Sequence, residues 1–437
     1  MARRRGRSPL NVFMNGRLAG RFSRHSSGST EFAYDATWLQ WKDAIPVSLS
    51  LPLREDRFVG APVIAVFDNL LPDNEQMRRR LAERVKAEGS DAYSLLAAVG
   101  RDCVGALQFL PDGIDPGQVG GVSGRSLSDD DVAAILNDLK HRPLGVDESE
   151  EFRISLAGAQ EKTALLYWDN KWQIPHGTTP TTHILKPEIG KLPNGLDLSQ
   201  SIENEHLCMR LTSAFGLKTA ATEIREFNHK RVLVVERFDR RLTRDGRLLR
   251  LPQEDCCQAL SVPPTHKYEP DGGPGIPKIL ELLTGSDEPA ADQRFFLKAQ
   301  IVFWLLGATD GHAKNFSLSL STGGRFNLTP LYDVMSAQPN VDAGQVRHNK
   351  MKLAMAVGDN RHYVIDKIMP RHFLQTAANC SVPAAVIQSI YDEIQRDAGR
   401  AIDDALRGLP AEFPAALSAS IIDGLRRRLR LLARVAV

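Results

Sequence analysis

A change of hydrophobic period near residue 253 constrains this chain more than any other feature. Before it, from Phe152 to about Arg241, apolar residues fall into short strand-like runs at 162–168, 172–175, 183–186 and 231–236. The last contains Val232, Leu233, Val234 and Val235, a continuous core suited to a strand covered on both faces. One helix, 202–215 closed by Gly216, interrupts these strands. From about Gln253 helical spacing dominates, including a very apolar stretch with Phe295, Phe296, Ile301, Val302, Trp304 and Leu305. A β-rich lobe followed by a helical lobe, jointed at 236–239, is the layout this order predicts.

The stretch before it, to about Leu110, mixes strands with one helix. Asn15-Gly16 marks a tight hairpin. Asp73 is a plausible N-cap for a helix with Met77, Leu81 and Val85 on one stripe, Gly89 as its stop, and Arg78, Arg79, Arg80 and Arg84 on a solvated face. Residues 111–124 read as a linker. Leu425, Leu429 and Leu432 carry the last helix, with Arg426, Arg427, Arg428 and Arg430 outside. A length of 437 residues allows two to four domains of roughly 100–200 residues. The division expected is 1–135, 136–252 and 253–437.

Apolar residues at 42% and charged residues at 25% exclude a disordered chain. Lys and Arg number 55 against 53 Asp and Glu, and a net +2 is too small for a protein held to DNA or lipid by charge alone. The five cysteines lack metal-ligand spacing, which points to reduced thiols. MARRRGRSPLN has no apolar stretch after its charges, and the longest apolar run, 301–308, is far below the roughly 20 residues of a membrane span. A soluble, cytoplasmic protein with no membrane partner is expected.

The chemistry centres on Asp310. Ala308-Thr309-Asp310-Gly311-His312-Ala313-Lys314-Asn315 follows the apolar helix and precedes the period-two strand Phe316-Ser317-Leu318-Ser319-Leu320. Thr322-Gly323-Gly324 turns the chain, and Phe326-Asn327-Leu328 returns. Folding this hairpin about its glycines sets Asn315 opposite Tyr332, beside Asp333. Asp310, Asn315 and Asp333 would then converge as an oxygen site suited to Mg²⁺. Asp310-x4-Asn315 also matches the D-x-x-x-x-N pattern in which Asp accepts a hydroxyl proton and Asn holds metal, with a later Asp on Mg²⁺. Asp and Asn are common turn formers, so placement carries this more than the pattern does.

The β-rich stretch supplies a complementary half. Ser155-Leu156-Ala157-Gly158-Ala159-Gln160-Glu161-Lys162 is a small-residue loop before a strand, where backbone N–H groups can approach phosphates. Lys186 ends an apolar strand. Glu203 lies on the stripe of Leu207, Leu211 and Ala214 and needs a cation if buried, for which Lys186 is the obvious candidate. Glu205 points away by helical phase and is second choice. Glu236 and Phe238 stand where an adenine could meet backbone groups and an aromatic edge.

SLAGAQEKTALL, THILKPE, ENE, VERFDRR, LPQED, GATDGHAKNFSL and LTPLYDVMSA resemble, in order and spacing, the HipA family of serine/threonine kinase toxins. LPLRED, FDNLLPDNEQMRRR and AAVGRDCVGALQFLP resemble its accompanying N-terminal domain. The resemblance implies an α+β, two-lobed protein-kinase-like fold: a β-rich N-terminal lobe with an extra N-terminal subdomain, and an all-helical C-terminal lobe. It implies Asp310 as catalytic base and Asn315 and Asp333 as Mg²⁺ ligands. Ala157, Gly158, Ala159, Gln160, Glu161 and Lys162 would be the phosphate loop, and Lys186 the ATP lysine. Glu236, Arg237 and Phe238 would be the adenine hinge, with His312, Ala313, Lys314 and Tyr332 in or beside the ATP site. Ser155 matches an autophosphorylated serine whose phosphate silences the kinase. The partners implied are a HipB-like helix-turn-helix antitoxin, operator DNA through that complex, and glutamate–tRNA ligase as substrate. A catalytically weak corepressor scaffold and a small-molecule phosphotransferase remain alternatives. There is no His-Arg before Asp310 and no Phe-Gly after Asp333, so activation-loop logic from eukaryotic kinases does not transfer.

Overall fold

The computed structural model describes residues 8–139, 156–158 and 160–433, so the expectations placed on Ser155 and Ala159 lie outside the described residues. Contacts group the chain into two compact units. The first is Met1–Pro187, Arg225–Thr265 and Leu318–Phe326; the second is Glu188–Ile224, His266–Ser317 and Asn327–Val437.

In the first unit an antiparallel sheet runs in the order Phe58–Val59, Thr30–Tyr34, Arg17–Arg24, Leu10–Met14, Leu107–Pro111. Its Leu10–Met14/Arg17–Arg24 hairpin turns on Asn15 and Gly16 with φ of 45° and 77°, the doubly left-handed turn that Asn-Gly favours. Phe22, Phe32, Phe67 and Phe109 pack beneath it, ring centroids 4.6 to 6.3 Å apart. A second sheet orders Lys230–Glu236, His183–Pro187, Thr163–Trp168, Lys171–Pro175 and Gly124–Ser126. One apolar core joins them without a break, from Leu10 and Phe22 through Val132 and Leu165 to Leu185 and Val234. The expected N-terminal subdomain thus shares a unit with 136–187 and 225–252 of the expected small lobe, while Glu188–Ile224 belongs to the second unit.

Three local expectations change. The helix is Glu75–Arg84, capped by Asn74 rather than Asp73: the Asn74 side-chain oxygen accepts Met77 N–H at 3.1 Å. It stops at Arg84, with Lys86 taking a left-handed φ of 53°, so Gly89 plays no part. Arg78 is not solvated: it is buried, and its guanidinium pairs with Asp68 and donates to the carbonyls of Pro72 and Asp68.

The second unit is built around Pro289–Leu306, buried on every side from Phe296 to Leu306, with Lys298 and Gln300 among its apolar residues and Lys298 Nζ donating to Glu393 Oε1 at 2.7 Å. Around it stand Ser201–Ala214, Ile276–Leu283, Ala384–Leu406 and Ala415–Leu432. Helices dominate beyond residue 253, yet the expected all-helical lobe is corrected by five short strands: Gln253–Asp255, Ser317–Leu320, Phe326–Leu328, Lys352–Val357 and His362–Val364. Four of these form two hairpins, Ser317–Leu320 with Phe326–Leu328 and Lys352–Val357 with His362–Val364, and Gln253–Asp255 adds to the first. In the last helix Arg428 is buried, its Nε donating to Leu305 O at 2.9 Å and Nη1 to Gln338 Oε1 at 2.9 Å, while Leu429 is half-buried. All five cysteines are free thiols. Among the described residues no helix is long and apolar enough to cross a membrane.

Candidate active site

Asp310 owes its place to how the central helix ends. Gly307, with φ of 69°, closes it: Ala308 N–H returns to Phe303 O at 2.9 Å and Gly307 N–H to Trp304 O at 3.2 Å, a Schellman ending. Glycine suits this position because its φ is left-handed, a conformation that side chains with a Cβ rarely adopt. The next residues fold into a tight loop: His312 N–H donates to Asp310 O at 2.8 Å and Asn315 N–H to His312 O at 2.9 Å. Asn315 Nδ2 donates to Asp310 O at 2.7 Å, which turns its Oδ1 outward as an acceptor. The Asp310 side chain is 52% exposed, open to an incoming hydroxyl, with His312 Nε2 3.8 Å from its Oδ1. His312, Ala313, Lys314 and Asn315 are all buried.

Asp333 is held against this loop by its flanks. The Tyr332 hydroxyl donates to Lys314 O at 2.8 Å, one residue before Asn315, which the expected register set opposite Tyr332. On the other side Ala308 and Ser336 pair as a bridge and Ala337 N–H donates to Gly307 O at 2.9 Å. Asn204, from the Ser201–Ala214 helix, grips Ser336 twice: Nδ2 donates to Ser336 O and Oδ1 accepts its N–H, both at 2.8 Å. Asp333 itself has φ of 63°, left-handed and uncommon for any residue but glycine, the sort of constraint that clusters at functional sites. Among the described residues no three His, Cys, Asp or Glu gather as a metal cluster. Asn315 and Asp333 carry oxygen ligands of the kind Mg²⁺ prefers, and would be the residues to hold it.

In the first unit the loop before Thr163–Trp168 is folded on itself. Gly158 has φ of 103°, and Lys162, buried, donates from Nζ to Ala157 O at 2.9 Å. Gln160 Nε2 donates to Pro187 O at 3.2 Å, tying the loop to the strand that carries Lys186. Glu161 stands 3.7 Å from Arg80. Lys186 is buried opposite Leu233, and Glu236 pairs with His183 at the far end of the same ladder. Three rungs separate them, about 10 Å along the strand.

Arg237 turns inward. Its Nη2 donates to Asp239 Oδ2 at 2.8 Å and to Cys103 O at 2.9 Å, and its backbone N–H goes to Thr182 O at 2.9 Å. It belongs to a buried charge cluster that sequence reasoning missed. Asp102 accepts from Arg240 Nη2 at 2.9 Å, from Arg250 Nε at 3.0 Å and from Thr181 N–H and Oγ1 at 3.0 and 2.7 Å, with Arg237 Nη1 at 3.4 Å. Burial alone would raise the Asp102 carboxyl, but Arg240, Arg250 and Arg237 override it and hold it well below the usual range. Asp239 closes the ring by accepting Gly105 N–H at 2.7 Å. The cluster thus locks 102–105 to the segment after Lys230–Glu236.

Glu203 is buried, as its stripe predicted, but so is Glu205; phase cannot separate them because Ser201–Met209 is covered on every side. Asn204 between them was overlooked, although ENE contains it. Tyr268, whose hydroxyl donates to Asp310 Oδ1, was overlooked too, having no local signal 42 residues away.

Sheets and helices together make an α+β fold, protein-kinase-like in class. The chain belongs to the HipA family: the model of the HipA-like C-terminal domain matches residues 154–402, and that of the HipA N-terminal domain matches 10–110. It is 38% identical over 353 residues, 80% of each chain, to Y4mE of Sinorhizobium fredii, which carries a kinase name. It is 29% identical over 367 residues, 80% of this chain and 78% of the other, to the serine/threonine-protein kinase toxin HipA of Shewanella oneidensis. The HipA chain solved with HipB and operator DNA from Shewanella oneidensis MR-1 has the same fold, with a TM-score of 0.79 at 24% identity over 98% of this chain and 99% of that one. The protein is a kinase of the HipA toxin type.

Proposed function

We propose that the protein uses Mg-ATP to phosphorylate a serine on a translation enzyme, glutamate–tRNA ligase, within a toxin–antitoxin pair. Asp310 accepts the proton of the attacking hydroxyl. Lys186 and the loop of residues 157–162 hold ATP phosphates, and the backbone of 236–238 holds adenine, about 10 Å from Lys186 along one strand pair. Asn315 and Asp333 hold Mg²⁺, which neutralises charge developing on the phosphates. His312, Ala313, Lys314 and Tyr332 shape the loop that carries Asp310 and Asn315. The division 1–135, 136–252 and 253–437 then corresponds to accompanying subdomain, ATP-holding lobe and catalytic lobe.

Ser155 accepts phosphate from the same centre, and close to two negative charges beside the phosphate loop oppose ATP binding. A HipB-like helix-turn-helix antitoxin restrains the kinase, and the pair represses its operon at operator DNA, the antitoxin making most phosphate contacts given a net charge of +2. The relative solved with HipB and operator DNA supports this partnership.

The observation that carries the reading is the Asp310 loop itself, an exposed carboxylate with Asn315 fixed beside it, its Nδ2 donating to Asp310 O at 2.7 Å. Purified protein, Mg²⁺, γ-labelled ATP and glutamate–tRNA ligase with its tRNA provide the test. Label is expected on the ligase and on Ser155, and Asp310→Asn abolishes both. No label on either protein refutes the proposal.

A further inference from the structure

We infer that Tyr268 is a positioning residue for the proposed base, an inference that rests on the kinase reading of Asp310. Its hydroxyl donates to Asp310 Oδ1, and its ring meets His312 edge-on, centroids 4.8 Å apart at 86°. Asp310 is half exposed on a loop, and the Tyr268 hydroxyl on its Oδ1 ties the carboxylate, and not only the main chain, to a neighbouring segment. Such a bond to a charged acceptor is stronger than a neutral one.

The segment bearing Tyr268 is built to hold still. Tyr268 O accepts from Asp271 N–H at 3.1 Å and from Gly273 N–H at 2.9 Å. Gly273 must be glycine, for a Cβ there would fall 2.0 Å from His266 O. The next residue, Glu269, is anchored from two sides, accepting Ala356 N–H at 2.6 Å and Arg361 Nη2 at 3.0 Å. Lys267 O accepts from Ala313 N–H at 3.4 Å, a direct tie to the Asp310 loop. A tyrosine fixed this firmly sets the rotamer of its partner rather than following it.

A competing role is obstruction, in which the phenol stands where the acceptor hydroxyl must bind. Tyr268→Phe separates the two, since it removes one oxygen and keeps the ring against His312. As a positioning residue its loss lowers kcat about tenfold, part of the roughly 10²–10⁴ that a well-placed base contributes. KM for ATP and for the protein acceptor stays within about twofold, and the thermal midpoint does not move. Tyr268→Leu falls at least as far. An unchanged kcat, a raised kcat, or a raised KM with kcat intact overturns the inference. An inactive parent protein strikes the kinase reading itself, whereas an active parent with an unmoved variant strikes only Tyr268.

Discussion

Replacing Asp102 by asparagine keeps the shape of the side chain and deletes one charge from the buried cluster. The carboxylate now faces three guanidinium groups and two Thr181 donors; the amide would point its NH₂ at some of these donors and leave Arg237, Arg240 and Arg250 with Asp239 as the one remaining carboxylate of the cluster. Breaking a buried ion pair from one side costs about 3–5 kcal/mol, because the remaining charges stay desolvated. For a domain of this size each kcal/mol moves the midpoint by about 2–4 °C, so the first unit should melt about 6–20 °C earlier. The Asp102 carboxyl is held low in the folded state, so its contribution is fully present above the ordinary carboxylate range. It fades only as pH falls below about 4. The deficit of Asp102→Asn should therefore be equal at pH 5.5 and 8 in calorimetry. Asp245→Asn, which removes an exposed partner of Arg247, is the control and should leave the transition in place. A midpoint for Asp102→Asn within about 2 °C of the parent would refute the reasoning.

Other perturbations test other parts of the structure. Burial pushes Glu254 up to about 8, so the wild-type protein should lose stability as pH rises from about 5 to 8, by up to about 1.4 kcal/mol per unit; urea midpoints of Glu254→Gln should show a flatter profile. Arg428→Ala leaves Leu305 O and Gln338 Oε1 without their donor and should cost about 2–4 kcal/mol by urea unfolding. Gly158→Ala forces a side chain into a φ of 103° with Cβ 2.5 Å from Lys162 Nζ. KM for ATP in the transfer assay should rise about tenfold, with strain of about 1–3 kcal/mol concentrated in the loop.

What could be read beforehand was local. Asn15-Gly16 and Gly323-Gly324 specify turns within two residues, and strand periods show in six. The spacing from Asp310 to Asn315 and the hairpin that brings Tyr332 to Lys314 are legible for the same reason. Residues that escaped work through distant partners. Arg78 and Arg428 occupy helical positions that phase alone calls solvent-facing, yet each guanidinium reaches backbone carbonyls, in the second case 123 residues away. Asp102 and Arg237 are 135 residues apart, and either alone reads as one more surface charge. Asn204 and Tyr268 are polar groups whose targets, Ser336 and Asp310, appear only once the chain has folded.

The charge lock between 102–105 and the segment after Lys230–Glu236 has a practical meaning for anyone cutting this protein. The exposed stretch near 112–122 looks like an ideal place to divide it. Severed there, each fragment would carry half of an unbalanced salt core and one torn apolar surface. Neither piece is expected to be soluble by itself, but produced together they should find each other, making this seam a natural site for a split reporter whose reassembly restores the whole.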